Sequence, residues 1–577
     1  MATFGKIHAG LREFFRSGKT QPISYRIERL EELRRRLLAN EENIIRAVQA
    51  DMQRNYQDCF VSDFVMLVSE IDQTIANLPE WAKPEPRATP LIMQPGNSEV
   101  QFQPKGVVLV ITPWNYPVST CVTGAIAAIA AGNVSLSIEF LTTSYVLDTT
   151  SDLLLIAFHA SLQLRFGLRS IYLRIERESG KEASNCMMYS GCASSTNTQV
   201  PLLKPSEVTE NSCRVLVDKI FKDFEGAGIV EGGPAETQEL LKLQFDHIIF
   251  TGGSGIAKHV YRAAAENLTP CTLELGGKSP VFLDKKENFG SDQKFEIALK
   301  RILWSKHLNA GQTCVAADYV LVHEEDLQST VEQMKAIWRQ FYIDPKSNSP
   351  CANATPASCP DYGSAVVSER HFDRVFSMLK EDHGGKVVLG GIAEEKNFDR
   401  SKKHLGLTIV VNPKDDCRLS TEEIFGPILV VRTFGTEVEM TDYVNARPHP
   451  LAVYAFSGDK NAAFVNFIKE NTISGGFVAN DVIIQAAHAQ LPFGGVGNSG
   501  FGKLHGQDGF KELSHCRGVL NRSFFMDSPE RYPPFYQETL GFYRRFLVDN
   551  SLLGALLCKK RSRTRFLPAA AASSGGA

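Results

Sequence analysis

A chain of 577 residues is too long for a single hydrophobic core and implies two or three domains. Its 62 Lys and Arg nearly balance 65 Asp and Glu, so a net charge of −3 gives no general electrostatic case for nucleic acid or an anionic membrane. The twelve cysteines form no CxxC pair or metal-ligand spacing and read as reduced thiols of a cytosolic enzyme. Met1–Lys6 lacks the apolar core of a secretory signal, and no run reaches the roughly 18 apolar residues of a membrane span.

Taken in order, Tyr25–Met52 carries Ile27, Leu30, Leu33, Leu37, Leu38, Ile44, Ile45 and Val48 along one stripe at helical spacing. A second helical segment runs from about Phe64 to Trp81, and Lys83-Pro84-Glu85-Pro86 breaks it. Ala88–Gln103 reads as two short extended runs around Pro95-Gly96-Asn97, a hairpin-like excursion. Gly106–Thr112 is a continuous apolar run of strand length, the kind buried on both faces of a parallel sheet. Pro113-Trp114-Asn115-Tyr116-Pro117 ends it, and the small residues of Val122–Ala131 suit a close-packing helix.

Beyond Asn133 the texture changes. Val134–Gln199 is rich in Ser and Thr and lacks steady periodicity, and strand-like order resumes with Val200–Pro205. Then Ser206–Lys222 reads as helix, Phe245–Phe250 as buried strand, Thr251–Gly255 as turn and Ile256–Asn267 as helix. This alternation predicts a parallel, doubly wound sheet with ligands at the carboxyl ends of its strands. After Gly276-Gly277-Lys278 a second α/β block runs to about residue 475, interrupted by the polar loop Lys346–Pro360.

Cys314 stands out in Asn309-Ala310-Gly311-Gln312-Thr313-Cys314-Val315, a small-polar turn between helix-like Ile302–His307 and strand-like Asp318–His323. A free thiol with a pKa of about 8.5 is a few per cent thiolate at neutral pH, and nearby backbone N–H groups raise that fraction. The same residue type also serves as a small buried apolar side chain.

Four pieces coincide. Asn115 lies in the loop after a strand, and Glu274 lies in Leu273-Glu274-Leu275-Gly276-Gly277-Lys278. Cys314 follows, and Glu422-Glu423-Ile424-Phe425-Gly426-Pro427 comes near the end of the second block. In this order they resemble the NAD(P)-dependent aldehyde dehydrogenase superfamily over about residues 5–133 and 200–535. Pro113–Pro117, Lys204-Pro205-Ser206-Glu207 and Leu491–Gly500 are worded like its class 3 and fatty aldehyde branch.

The resemblance implies an α/β fold with a Rossmann-like cofactor domain, an α/β catalytic domain and a small oligomerisation arm. The cofactor domain spans 1–278, interrupted by 134–199 and carrying the arm at about 88–103. The catalytic domain spans 279–475, residues 476–535 return to the cofactor and oligomerisation region, and 536–577 form a tail. It also implies oxidation of medium- or long-chain aliphatic, or aromatic, aldehydes, and a homodimer.

An aldehyde needs a nucleophile, because hydride leaves only from a tetrahedral carbon. Cys314 would supply it, the Asn115 amide and the Cys314 N–H would hold the oxyanion, and Glu274 would activate the hydrolytic water. For the cofactor, Lys204 and Glu207 resemble the adenosine-ribose holders. Glu207 favours NAD and Lys204 tolerates a 2′-phosphate, so NAD or NADP is expected. Gly252, Gly253 and Ser254 open a helix toward the pyrophosphate, and many relatives have serine where this chain has Gly253. Glu423 and Phe425 resemble the grip on the nicotinamide ribose and ring. No metal ligand is expected.

Two rivals stand beside this reading. A CoA-acylating dehydrogenase would not need Glu274, since its thioester is released by thiolysis. A catalytically silent product that only binds cofactor or partners is the other.

Val134–Gln199 favours that second rival. Without it, Ala130-Ala131-Gly132-Asn133 and Val200-Pro201-Leu202-Leu203-Lys204 join as in relatives. Val134-Ser135 can be encoded by GTGAGT and Gln199 by CAG, the usual intron edges, and the frame is kept. The segment therefore reads as a retained intron or a gene-model error, and a genuine inserted loop is the alternative; so long a structureless insertion in a compact domain is itself suspect.

In the tail, apolar Phe546–Cys558 is interrupted by Asp549 and Asn550 and followed by basic Lys559–Arg565. It is too short to span a bilayer. Peripheral contact with an anionic membrane is one expectation, with Cys558 as an acylation site, and packing on a partner subunit is the other. Localisation is expected to be cytoplasmic, with membrane association through this tail.

Overall fold

The computed structural model describes residues 2–90, 93–139, 208–341, 364–394, 397–460, 462–525 and single positions between 527 and 548. Lys204, Glu207, the strand-like Val200–Pro205, most of Val134–Gln199, the loop Lys346–Pro360 and the basic stretch Lys559–Arg565 lie outside them. Contacts divide the chain into two compact units, Met1–Lys83 with Phe102–Cys516, and Pro84–Gln101 with Arg517–Ala577.

The N-terminal amphipathic stripe forms two helices, Ile23–Ala39 and Glu41–Met52, broken at Asn40. Leu30, Leu33, Leu37, Ile44, Ile45 and Val48 are fully buried, as spacing by three and four requires. Leu38, one residue and about 100° beyond Leu37, is 43% exposed and leaves the stripe. A short helix, Tyr56–Phe60, and a π-turn over Val61–Val65 lead into the helix Met66–Trp81.

Eighteen strands are described. In chain order they are β1 (Glu85–Arg87), β2 (Gly96–Pro104), β3 (Val107–Ile111), β4 (Val134–Glu139), β5 (Ala227–Glu231) and β6 (His247–Gly252). Next come β7 (Cys271–Leu275), β8 (Ser279–Leu283), β9 (Ala317–His323), β10 (Lys386–Leu389), β11 (Phe398–Asp399) and β12 (His404–Leu405). The last are β13 (Thr408–Val411), β14 (Ile428–Phe434), β15 (Ala452–Phe456), β16 (Gly476–Ala479), β17 (Gly500–Phe501) and β18 (Ser514–Arg522).

The first sheet has the order β17-β7-β6-β3-β4-β5, parallel except where β17 joins β7. Strand alternation sends Val108 and Val110 to one core, with the N-terminal helices and the helix Pro117–Ala131. It sends Val107, Leu109 and Ile111 to another, with Ala257, Val260 and Ala264 of the helix Ser254–Glu266. Both faces are covered, which is why β3 reads as an uninterrupted apolar run. The second sheet, β10-β13-β14-β9-β8-β15-β16, is parallel except at β10. The fold is α/β.

Two local expectations change. In the second unit, β2 pairs antiparallel with Glu85–Arg87, Glu85 opposite Val100, and not with the run after Ala88. Pro86 fits there because β1 is the edge of the β1-β2-β18 sheet, where a missing N–H costs no ladder bond. Val134–Glu139, the start of the segment without periodicity, is a central strand, with Leu136 opposite Leu109 on one side and Gly228 on the other. Its alternation of Val, Leu and Ile with Ser suffices for six residues. The fit leaves the fully buried Ser135 hydroxyl without a hydrogen-bond partner, a defect of about 1–3 kcal/mol for such a group.

Candidate active site

The loop after β3, the ends of β6 and β7, and the approach to β9 meet at a cavity of about 610 Å³. Asn115, Gly252, Gly253, Glu274, Cys314, Glu423 and Phe425 all line it. Ser254, first residue of its helix, is exposed and does not line the cavity.

Three consecutive left-handed residues, Asn309 (φ 50°), Ala310 (φ 51°) and Gly311 (φ 70°), bend the chain ahead of Cys314. Such non-glycine conformations cost of order 1–3 kcal/mol each and persist only when their surroundings fix them. Here Asn309 Nδ2 donates to Asn115 O at 2.9 Å and to Gln312 O at 3.2 Å. A Cβ on Gly311 would lie 2.5 Å from Gly426 O, so the third position has room only for glycine. Gln312 Nε2 donates to Asn309 O and Ala365 O, both at 2.9 Å, and Gln312 Oε1 accepts from Val367 N.

The Asn115 loop is held as firmly. Asn115 O accepts from Arg54 Nη2 at 2.6 Å, and the Tyr116 hydroxyl bonds Thr313 Oγ1 at 2.7 Å. Asn115 Nδ2 donates to Gln312 O at 3.1 Å, which uses one of its two hydrogens and leaves one for a ligand.

Glu274 sits on β7 between Thr251 of β6 and Gly500 of β17. It is 3% exposed, and neither carboxylate oxygen has a hydrogen-bond partner. Burial pushes its carboxyl well above the usual range, Lys503 pulls it down, and Glu512 adds to the rise. Glu423 rises to about 8 through burial and then Asp318, opposed by the Gly277 N–H, Lys278 and Lys306. A Cβ on Gly276 would lie 2.2 Å from Glu423 Oε2, so glycine there makes room for the carboxylate. Phe425 is left-handed (φ 48°), with its ring edge-on to Trp114 at 5.4 Å.

Cys314 departs from the sequence expectation. Burial, then Glu423 and Glu274, push its thiol up to about 12, although the N–H groups of Cys314 and Val315 act the other way. Burial is the largest of these influences and the two carboxyls add to it, which favours the thiol form.

Sequence reasoning missed the supports. Arg54, Asp63 and Arg374, which donates to Ile424 O at 2.6 Å, match no short motif, and Tyr116 and Gln312 stand inside quoted motifs without a role being read from them. Arg54 and Asn115 are 61 residues apart, beyond any local periodicity. A wall of the cavity also holds His505, whose Nδ1 lies 2.9 Å from Glu70 Oε1, while Thr123 donates to Glu70 Oε2.

A covered parallel sheet with a cavity at its strand ends defines an α/β enzyme. The sequence model of the aldehyde dehydrogenase family matches residues 6–137 and 192–519, and the chain belongs to that family. Its chemistry is aldehyde oxidation. The dimeric NADP-preferring aldehyde dehydrogenase of Canis lupus familiaris is 33% identical over 538 residues, 92% of this chain and 98% of that one. Aldehyde dehydrogenase family 3 member A2 of Mus musculus is 32% identical over 554 residues, 95% of each. The substrate-bound Staphylococcus aureus AldH structure is similar with a TM-score of 0.74 at 30% identity, covering 94% of this chain and 99% of that one. Among the described residues no helix is long and apolar enough to cross a membrane.

Proposed function

We propose that this chain oxidises medium- or long-chain aliphatic, or aromatic, aldehydes to carboxylic acids with NAD or NADP, using Cys314 as nucleophile. The observation that carries the reading is one cavity in which Cys314, the buried unpartnered Glu274 and the Asn115 amide meet. Val61, Met66, Leu67, Trp114, Ile484 and Phe493 line the same space and suit an apolar chain or ring.

The residues present fit a dinucleotide. Gly253 caps the 13-residue helix Ser254–Glu266 without a side-chain bond, and a Cβ there would meet nothing within 4 Å, so the helix N-terminus is open to a phosphate. Gly252, Gly253, Glu423 and Phe425 would hold the cofactor; Lys204 and Glu207, expected at the adenosine ribose, lie outside the described residues. When bound, the nicotinamide supplies the hydride acceptor.

The protein's own groups do the rest. Cys314 loses its proton and Sγ adds to the aldehyde carbon, giving a thiohemiacetal whose oxyanion the Asn115 amide and the Cys314 N–H receive. Departure of hydride leaves a thioester. Glu274 takes a proton from water, which attacks the thioester carbon and expels the thiolate as the acid forms. The balance is aldehyde, water and oxidised cofactor to acid, reduced cofactor and a proton. A buried base placed for hydrolysis opposes the acyl-transfer rival, and no comparison favours a silent product. The name of the canine relative supports NADP use and a dimer; the arm at 88–103 is the proposed dimer element, and the tail 536–577 the proposed membrane contact.

The test is formation of reduced cofactor from hexadecanal and from benzaldehyde by the purified chain and by Cys314→Ser. Turnover of either aldehyde that disappears in the variant supports the reading. Folded protein inactive on both, or turnover that survives in Cys314→Ser, overturns it.

A further inference from the structure

The carboxyl end of the second sheet gathers a second set of chemically active groups, at the far end of β9 from Cys314. His323 is the last residue of β9, Asp284 follows β8, and Glu437 opens the helix Glu437–Asn445 after β14. These strands are neighbours in the order β14-β9-β8 and run parallel. One ligand atom from each residue lies within 4.8 Å of the other two.

His323 is 2% exposed, and neither ring nitrogen has a hydrogen-bond partner. Buried polar groups are ordinarily bonded, so an imidazole with two unused nitrogens is placed for a ligand. The 3% exposed Asp284 is oriented by three donors, Lys285 N and Asn288 Nδ2 to Oδ1 at 2.8 Å and Ser457 Oγ to Oδ2 at 2.6 Å. A carboxylate accepts at about four positions, so one remains, on Oδ2. Ser457 follows β15, so four adjacent strand ends contribute to one spot. Asp284 and Glu437 line a cavity that gives access from outside.

We propose that Asp284, His323 and Glu437 bind a divalent transition-metal ion, with Zn²⁺ the best fit. One imidazole and two carboxylates match the borderline character of zinc, and three protein ligands leave a fourth position for solvent. Bonds of about 2.0–2.2 Å need ligand atoms about 3.4 Å apart. The half-buried Glu437 side chain can supply most of that closure. Asp284, with its donors already in place, resembles a ligand oriented by outer partners. β9 rises about 3.3 Å per residue, which puts the ion roughly 20 Å from Cys314, so its role is to tie β14, β9 and β8 together and not to act on substrate.

The experiment is calorimetric titration of Zn²⁺ into the chelator-treated full chain with its cysteines alkylated, together with thermal unfolding with and without the ion. One equivalent bound, a raised Tm, and affinity at least about 100-fold weaker in His323→Phe are expected. A cobalt-substituted sample should show tetrahedral d–d bands without thiolate charge transfer. Should His323→Phe fail to fold, Glu437→Gln must weaken binding by at least about tenfold. No stoichiometric binding, or binding untouched by the substitution that folds, overturns the proposal.

Discussion

Arg54 Nη1 donates to Asp63 Oδ2 across 2.8 Å, and neither side chain has any surface in contact with water. Nη2 of the same guanidinium donates to Asn115 O, and the guanidinium lies over the Tyr116 ring at 4.7 Å, so the pair anchors the loop that faces Cys314. Asp63→Ala would leave a buried guanidinium unpaired, a loss of about 3–5 kcal/mol. Because Asn115 would shift, kcat should fall with it. Urea unfolding and steady-state kinetics on the same sample check this; unchanged stability would refute the anchoring role.

Glu274→Gln separates the two halves of the reaction. A first-turnover burst of reduced cofactor should survive while steady turnover falls by about 10²–10⁴. A single turnover lost together with the steady rate would mean that Glu274 acts before the thioester forms. The same change tests linkage. The folded-state pKa lies above the ordinary value of 4.5, so between the two the folded chain binds more protons and wild-type stability falls as pH rises. The glutamine variant lacks that loss, and its stability advantage should grow with pH across this window. Denaturant midpoints at a series of pH values report it.

The carboxylates beside Cys314 also set its reactivity. Alkylation of the free enzyme by iodoacetamide should climb with pH through the alkaline range without levelling near neutrality, since the thiol lies near 12. Glu423→Gln removes the largest repelling charge and should lower the apparent pKa. A plateau at neutral pH in the unmodified enzyme would contradict the geometry.

Gly253→Ser has room to be accommodated, with nothing within 4 Å of the added Cβ and an extended backbone at φ −73°. A hydroxyl there adds one donor for a phosphate, worth about 1.5–3 kcal/mol to a charged acceptor. The KM for cofactor should drop about tenfold or more with kcat nearly unchanged. An unchanged KM would place the pyrophosphate elsewhere.

The sheet and the helices were legible where a period or an unbroken apolar run carried them, as in β3, β6 and the buried Leu30–Val48 stripe. The cavity residues Asn115, Glu274 and Cys314 were legible through the motifs that resemble the aldehyde dehydrogenase family; as plain residues they read equally as a turn-former, a solvated carboxylate and a small buried thiol. What stayed hidden depends on distance along the chain. Arg54 gives no sign that it holds a carbonyl 61 residues on, and the effect of Glu423 on the Cys314 thiol arises only when two loops close together. The β1–β2 pairing was missed because proline looks like a breaker until the strand is known to be an edge.

One position in the first sheet, between β3 and β5, is filled by Val134–Glu139, while Val200–Pro205, farther along, is also written as a strand. The family match stops at 137, inside Val134–Glu139, and resumes at 192, ahead of Val200–Pro205. Removing 134–199 would offer the same position to Val200–Pro205, with Lys204 in place of Ile138 and Glu207 in place of Leu141. The shorter protein should bind the adenosine half of NAD tightly and the longer one poorly, with the same cysteine in both, and direct binding of ADP-ribose to the two forms distinguishes this from a tolerated loop, which would leave the affinities equal.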